Sequence, residues 1–160
     1  MATAALLDVV FFEVRGLRCA LPLAVVRKVL PMRGVTPVPL APAMVRGIAP
    51  MQDWILPVLD LSVCFQPAGD DAAEGERFPK DKLLLIETAP DAGREIVRAA
   101  IAVERAVTIG TVDEQHSRPP PPRPSFLSAT VLDASGPALL LDIERTIDYV
   151  RNAISAMMGP

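Results

Sequence analysis

The chain has 160 residues, the size of one ordinary domain or of two small ones sharing a core. Hydrophobic residues make up 51% and aromatic ones only 4%, so an interior is available but has to be packed from Val, Leu, Ile and Ala. A formal charge of -3 argues against nucleic acid as a partner, because polyanion binding normally needs a basic face.

Every apolar run is cut by a charge, Gly or Pro well before the roughly 18 residues of a membrane span, so no direct membrane insertion is expected. Met1 to Val10 has no basic leader region and Asp8 breaks its apolar stretch, which predicts a cytoplasmic product. Val9 to Val14 and Cys19 to Leu23 are β-rich runs on either side of a turn at Gly16, and they predict a hairpin. Val25, Val26, Val29 and Leu30 bracket Arg27 and Lys28, as in a surface strand or a single helical turn. Pro31, Pro37, Pro39 and Pro42 then interrupt regular structure, and Pro42 is placed to start a short helical turn that Gly47 would end.

The stretch Gly47 to Leu61 follows, with a polar tip at Gln52 and Asp53 and an apolar strand from Trp54 to Leu61. Pro57 lacks the N–H that a central ladder needs, so this strand reads as an edge or barrel-rim strand. From Gln66 to Lys82 the composition turns to Gly, Asp, Glu, Ala and Pro, which predicts an exposed loop. Leu83 to Glu87 and Glu95 to Val103 predict a second hairpin turning at Pro90 to Arg94, and Val107, Ile109 and Val112 alternate as in a half-buried strand. The proline run Pro119 to Pro122 is extended by its own sterics, either as a plain loop or as a peptide ligand. Phe126 to Leu132 and Pro137 to Ile143 predict a last hairpin, turning at Asp133 to Gly136. Ile143, Ile147, Val150, Ile154 and Met157 recur at helical spacing, an amphipathic C-terminal helix.

The two halves repeat. Ala20-Leu21-Pro22-Leu23 matches Ala100-Ile101-Ala102-Val103, and Val58-Leu59-Asp60-Leu61 matches Leu140-Leu141-Asp142-Ile143, at offsets of about 80 residues. Short strands joined by tight turns in each half fit two small closed barrels better than a sandwich. The predicted fold is mostly β, with subdomain A over residues 9–66, a loop over 67–81, subdomain B over 82–143 and a helix over 143–158.

With these features in place, the chain resembles the CheW-like family, adaptors of bacterial chemosensory arrays. The resemblance runs from about Val9 to about Tyr149, through Ala20 to Leu23, Thr36-Pro37-Val38-Pro39, Pro42, Gly47-Ile48 and Ile55 to Leu61, and more loosely through Ala100 to Glu104 and Leu140 to Arg145. It implies a pair of SH3-like five-stranded barrels, with strand exchange where they join, about a shared apolar interior. It also implies two partners, the cytoplasmic signalling tip of methyl-accepting chemoreceptors and the regulatory domain of the CheA histidine kinase. No catalysis and no cofactor are implied, and the place of work is the receptor array on the inner face of the membrane.

Two departures stand out. The family's N-L-R-G tip is here Pro50-Met51-Gln52-Asp53, and its V-x-E-V pattern is Val26-Arg27-Lys28-Val29. The charges are reversed, so Lys28 and Asp53 either restore an ion pair of opposite polarity or stand as two separate solvated charges. Val25, Val29 and Met44 are candidates for the apolar wall of a receptor-binding groove between the barrels. Lys28, Met51, Gln52, Asp53 and Trp54 are further candidates for partner contact, Trp54 either as an interface anchor or as a core residue.

Rival functions are weaker on the residues. An enzyme needs convergent nucleophile, base or metal groups, whereas His116 lies alone in a polar loop and the two cysteines lack ligand spacing. Cys19 and Cys64 read instead as reduced, buried thiols in apolar sequence. Asp60 and Asp142 occupy equivalent strand ends, where turn hydrogen bonds explain them. A generic SH3-like peptide-binding module, or a structural subunit outside chemosensory signalling, is the alternative, but Trp54 and Tyr149 are too far apart in sequence to suggest a clustered aromatic surface.

Overall fold

A computed structural model describes residues 5–51, 53–65, 80–88, 93, 95–104 and 107–158. Among these residues ten strands run in the order β1 (Leu6–Val14), β2 (Leu17–Pro22), β3 (Val26–Pro31), β4 (Val45–Met51), β5 (Trp54–Leu59), β6 (Lys82–Glu87), β7 (Arg98–Val103), β8 (Thr108–Asp113), β9 (Leu127–Asp133) and β10 (Gly136–Leu141). The helix α1 (Ile143–Met158) follows, as the spacing of its apolar residues predicts. Short 3-10 turns occupy Leu23–Val25, Leu61–Phe65 and Glu114–His116.

The first sheet has the order β8-β1-β2-β10-β9 and the second β3-β6-β7-β5-β4. Each sheet therefore takes two strands from one half of the chain and three from the other. The joins are parallel and short, Cys19 and Ala20 against Leu139 and Leu140 in one sheet, Val58 and Leu59 against Ala100 and Ile101 in the other. Beyond the edge strands, Thr36 bridges to Ile48 in the second sheet and Arg118 to Thr130 in the first, so each sheet curls its two edges together. These bridges, like β3 and β8, β4 and β9, and β5 and β10, are 82 residues apart, so the duplication extends to individual hydrogen bonds.

Three apolar cores result. Val9, Phe11, Ala20, Val131 and Leu140 fill the first sheet, and Ala49, Met51, Leu56, Val58, Leu83 and Leu85 fill the second. The largest lies between them, where Phe12, Leu21, Leu59, Leu84, Ile86, Ile101 and Phe126 meet Ile143, Ile147 and Val150 of α1. Strands β6 and β7 feed alternate residues to two cores, which is why their sequences are nearly continuous hydrophobic runs. Each leucine, isoleucine or valine among them contributes about 1.5–3 kcal/mol on removal from water, and each alanine less.

Two local expectations are overturned. Pro42 starts no helical turn: Val45 N–H donates to Pro42 O in a single turn, and Gly47 lies inside β4. Gly47 is needed because a Cβ there would run into the backbone carbonyl of Thr36, at the bridge that closes the sheet. The strand of Pro57 is not an edge either, since β5 lies between β7 and β4. Its ladder with β7 begins only at Val58, so Pro57 withholds no N–H from it.

Asp60 and Asp142 act as turn caps. Asp60 Oδ1 accepts from Ser62 N–H at 3.0 Å and Asp142 Oδ1 from Arg145 N–H at 3.1 Å, which starts α1. His116 is exposed, with Nδ1 2.8 Å from Asp113 Oδ2 in a similar turn. The run Pro119–Pro122 has no regular structure, and Pro121 lines an apolar crevice with Leu17, Phe65 and Leu139. Neither cysteine is in a disulfide; Cys19 is buried and Cys64 half-buried. Burial pushes both thiols up to about 12. Among the described residues no helix is long and apolar enough to cross a membrane. The predicted loop at 67–81 and the turn at Pro90–Arg94 lie almost wholly outside the described residues.

Candidate protein-interaction surfaces

The edge strands β3 and β8 face one another across a groove of about 570 Å³ between the two sheets. Its walls are apolar, with Val26 and Val29 from one side and Val107 and Ile109 from the other. Val29 is 44% exposed and Ile109 71% exposed, large apolar side chains left facing water. Arg27, Lys28 and Lys82 also line the groove, and among the described residues no acidic one does. Charged residues on an edge strand discourage strand-to-strand aggregation, so this opening suits side-chain contact better than β-augmentation.

The second surface is the β4–β5 hairpin. Pairing sets Ile48 opposite Pro57 and Pro50 opposite Ile55, and all four are exposed on the outward face. Trp54, 42% exposed, begins β5 beside them, and the guanidinium of Arg98 lies 4.3 Å from the centre of its ring. Arg98 Nε donates to Glu87 Oε2 at 2.9 Å, which fixes the stack. Asp53 is exposed at the turn, and Gln52 lies outside the described residues.

The residues singled out from the sequence divide by burial. Val29 and Lys28 line the groove, and Asp53 and Trp54 are at the hairpin surface. Val25 is buried in the shared core at the end of its 3-10 turn, and Met51 is buried in the core of the second sheet because it alternates inward from exposed Pro50 in β4. Met44 is half-buried against the shared core, with its carbonyl accepting from Asp60 N–H. Lys28 and Asp53 form no ion pair with one another among the described residues; β3 is tied instead through Arg27, whose Nη2 donates to Glu87 Oε1 at 3.0 Å. Ile109, Lys82, Ile55, Arg98 and Glu87 were not singled out from sequence. Ile109 had a signal in the alternation of its strand, whereas nothing local to Arg98 points to a tryptophan 44 positions earlier.

Residues 8–151 match the CheW-like domain family. The fold is similar to that of the scaffolding protein TtCheW from Thermoanaerobacter tengcongensis, with a TM-score of 0.64 and 20% identity over 84% of this chain and 88% of that one. No curated protein sequence matches. With a family match across nearly its whole length and the fold to go with it, the chain belongs to the CheW-like domain family, whose members are non-catalytic scaffolds.

Proposed function

We propose that this protein is a cytoplasmic adaptor that couples the signalling tips of methyl-accepting chemoreceptors to the regulatory domain of a CheA-type histidine kinase. The observation that carries this reading is the presence of two separate exposed apolar surfaces, the groove and the β4–β5 hairpin, on one scaffold. An adaptor has to hold two partners at once. A receptor tip is a helical hairpin, and an amphipathic helix docks by laying apolar side chains into a groove. Val29 and Ile109 receive those side chains, while Arg27, Lys28 and Lys82 select a helix with acidic flanks. The kinase domain takes the hairpin surface, with Trp54 as anchor and Asp53 at its rim, while Val25, Met44 and Met51 pack into or against the apolar cores.

Binding of the full chain to a receptor signalling tip and to a CheA regulatory domain from the same cell tests the reading. Val29→Asp and Ile109→Asp should each lose receptor binding by tenfold or more, about 1.4 kcal/mol, while kinase binding persists. Failure of the unsubstituted chain to bind either partner would overturn the adaptor role.

A further inference from the structure

Glu87, at the end of β6, stands between two arginines that belong to different surfaces. Arg27, which lines the groove, donates to its Oε1, and Arg98, which stacks on Trp54, donates to its Oε2. Arg27 also occupies a special backbone position. Val26 opposes Ile86 and Lys28 opposes Leu85, so Arg27 is the extra residue of a β-bulge. A bulge re-aims the side chain it carries, and here the Arg27 side chain reaches Glu87.

We infer that this chain of contacts, Arg27 to Glu87 to Arg98 to Trp54, transmits occupancy of the groove to the hairpin surface. One carboxylate is shared by two cations, and Arg27 is the more exposed of the two. An acidic side chain on a groove occupant competes for Arg27. Once Arg27 turns to that ligand, Glu87 is left to Arg98 alone, and the guanidinium resettles over the indole. Trp54 thus changes pose when the groove fills, although no groove ligand touches it. The inference rests on the groove as a docking site and adds a regulatory link between it and the hairpin. Glu87 and Arg98 are positioning residues for Trp54.

Trp54 is the single tryptophan, so intrinsic fluorescence reads its pose directly. In the full chain, Arg27→Met should shift Trp54 emission and its quenching by acrylamide, and Glu87→Gln should remove the effect of adding Arg27→Met. Arg98→Lys, which keeps the charge but loses the planar fork, should change the emission toward that of Arg98→Met. Far-UV circular dichroism establishes that each variant is folded. If Arg27→Met leaves emission and quenching unchanged while Arg98→Met alters both, the link through Glu87 is disproved. A second measurement adds a groove probe, a synthetic helical peptide with leucines on one face and glutamates flanking them. Its binding should shift Trp54 emission in the unsubstituted chain and not in Glu87→Gln, and Arg27→Met should weaken it by about two- to fivefold, the range of an exposed ion pair. Binding without an emission shift overturns the transmission. Absence of peptide binding overturns the groove as a helix site, and the Arg27→Met comparison still decides the link.

Discussion

Arg18 and Asp133 form a two-point contact across the first sheet, Nη1 donating to Oδ1 at 2.7 Å and Nη2 to Oδ2 at 2.8 Å. The same guanidinium lies 3.9 Å from the centre of the Phe11 ring, so a single side chain ties β2 to β1 and to the β9–β10 turn. Arg18 holds the Asp133 carboxyl below its usual range. A depressed carboxylate contributes stability above its unfolded pKa and loses it as pH falls through the folded value. Asp133→Asn should therefore lower stability by about 1 kcal/mol at neutral pH. Urea titrations of the two proteins should converge as the solution is acidified below about pH 4.

Gly47→Ala should be far more damaging. The added methyl meets the backbone carbonyl of Thr36, which cannot swing aside like the end of a side chain. The expected cost is about 3 kcal/mol, at the upper end for overpacking. A denaturation midpoint close to that of the unsubstituted chain would show that the Thr36–Ile48 bridge yields cheaply.

The two thiols predict a decline of stability in base. Burial raises both, to about 12, so the folded state keeps protons that the unfolded state releases from about pH 8.5 upward. Stability is full below that value and falls as pH rises toward the folded one, by at most about 1.4 kcal/mol per pH unit for each thiol. A Cys19→Ala, Cys64→Ala double variant should show a flatter profile between about pH 8.5 and 10. Reaction of native protein with a thiol reagent at pH 8 should be slow compared with the unfolded chain.

The hairpin tip should set partner choice. Gln52→Arg combined with Asp53→Gly should strengthen binding to a kinase regulatory domain suited to a basic tip and weaken binding to the native one, each by roughly tenfold. Titration of both proteins against both domains measures it; equal affinities throughout would show that the tip does not select partners.

The hairpins and helix were legible because their signals are local. Alternation in Val107 to Val112 and the recurrence of Ile143, Ile147 and Val150 are set by neighbours a few positions away. Sheet order was not legible in the same way. Each parallel join rests on two residue pairs distant in sequence, such as Cys19 with Leu139, and leaves no periodic trace. Gly47 misled for a related reason, since its requirement comes from Thr36 across the sheet rather than from a helix end. The candidate surfaces were half visible. Val29 and Trp54 announce themselves as large apolar residues beside charges, but Val25 and Met51 resemble them in sequence and are buried. Arg98 and Glu87 acquire a role only once β5, β6 and β7 are side by side.

The interleaving of strands bears on how such a chain could have arisen. A half-length chain with the strands of β1 to β5 holds no complete sheet, since two of its strands need three from elsewhere and its other three need two. Two identical copies could satisfy one another only by reciprocal exchange, giving an entwined dimer whose folding depends on concentration. Fusing the copies end to end makes that exchange intramolecular, so a single chain finds its partner strands at any dilution. It also frees each half to diverge. In the present chain the first half carries Trp54 and its exposed hairpin, while the second carries the helix that seals the core between the sheets.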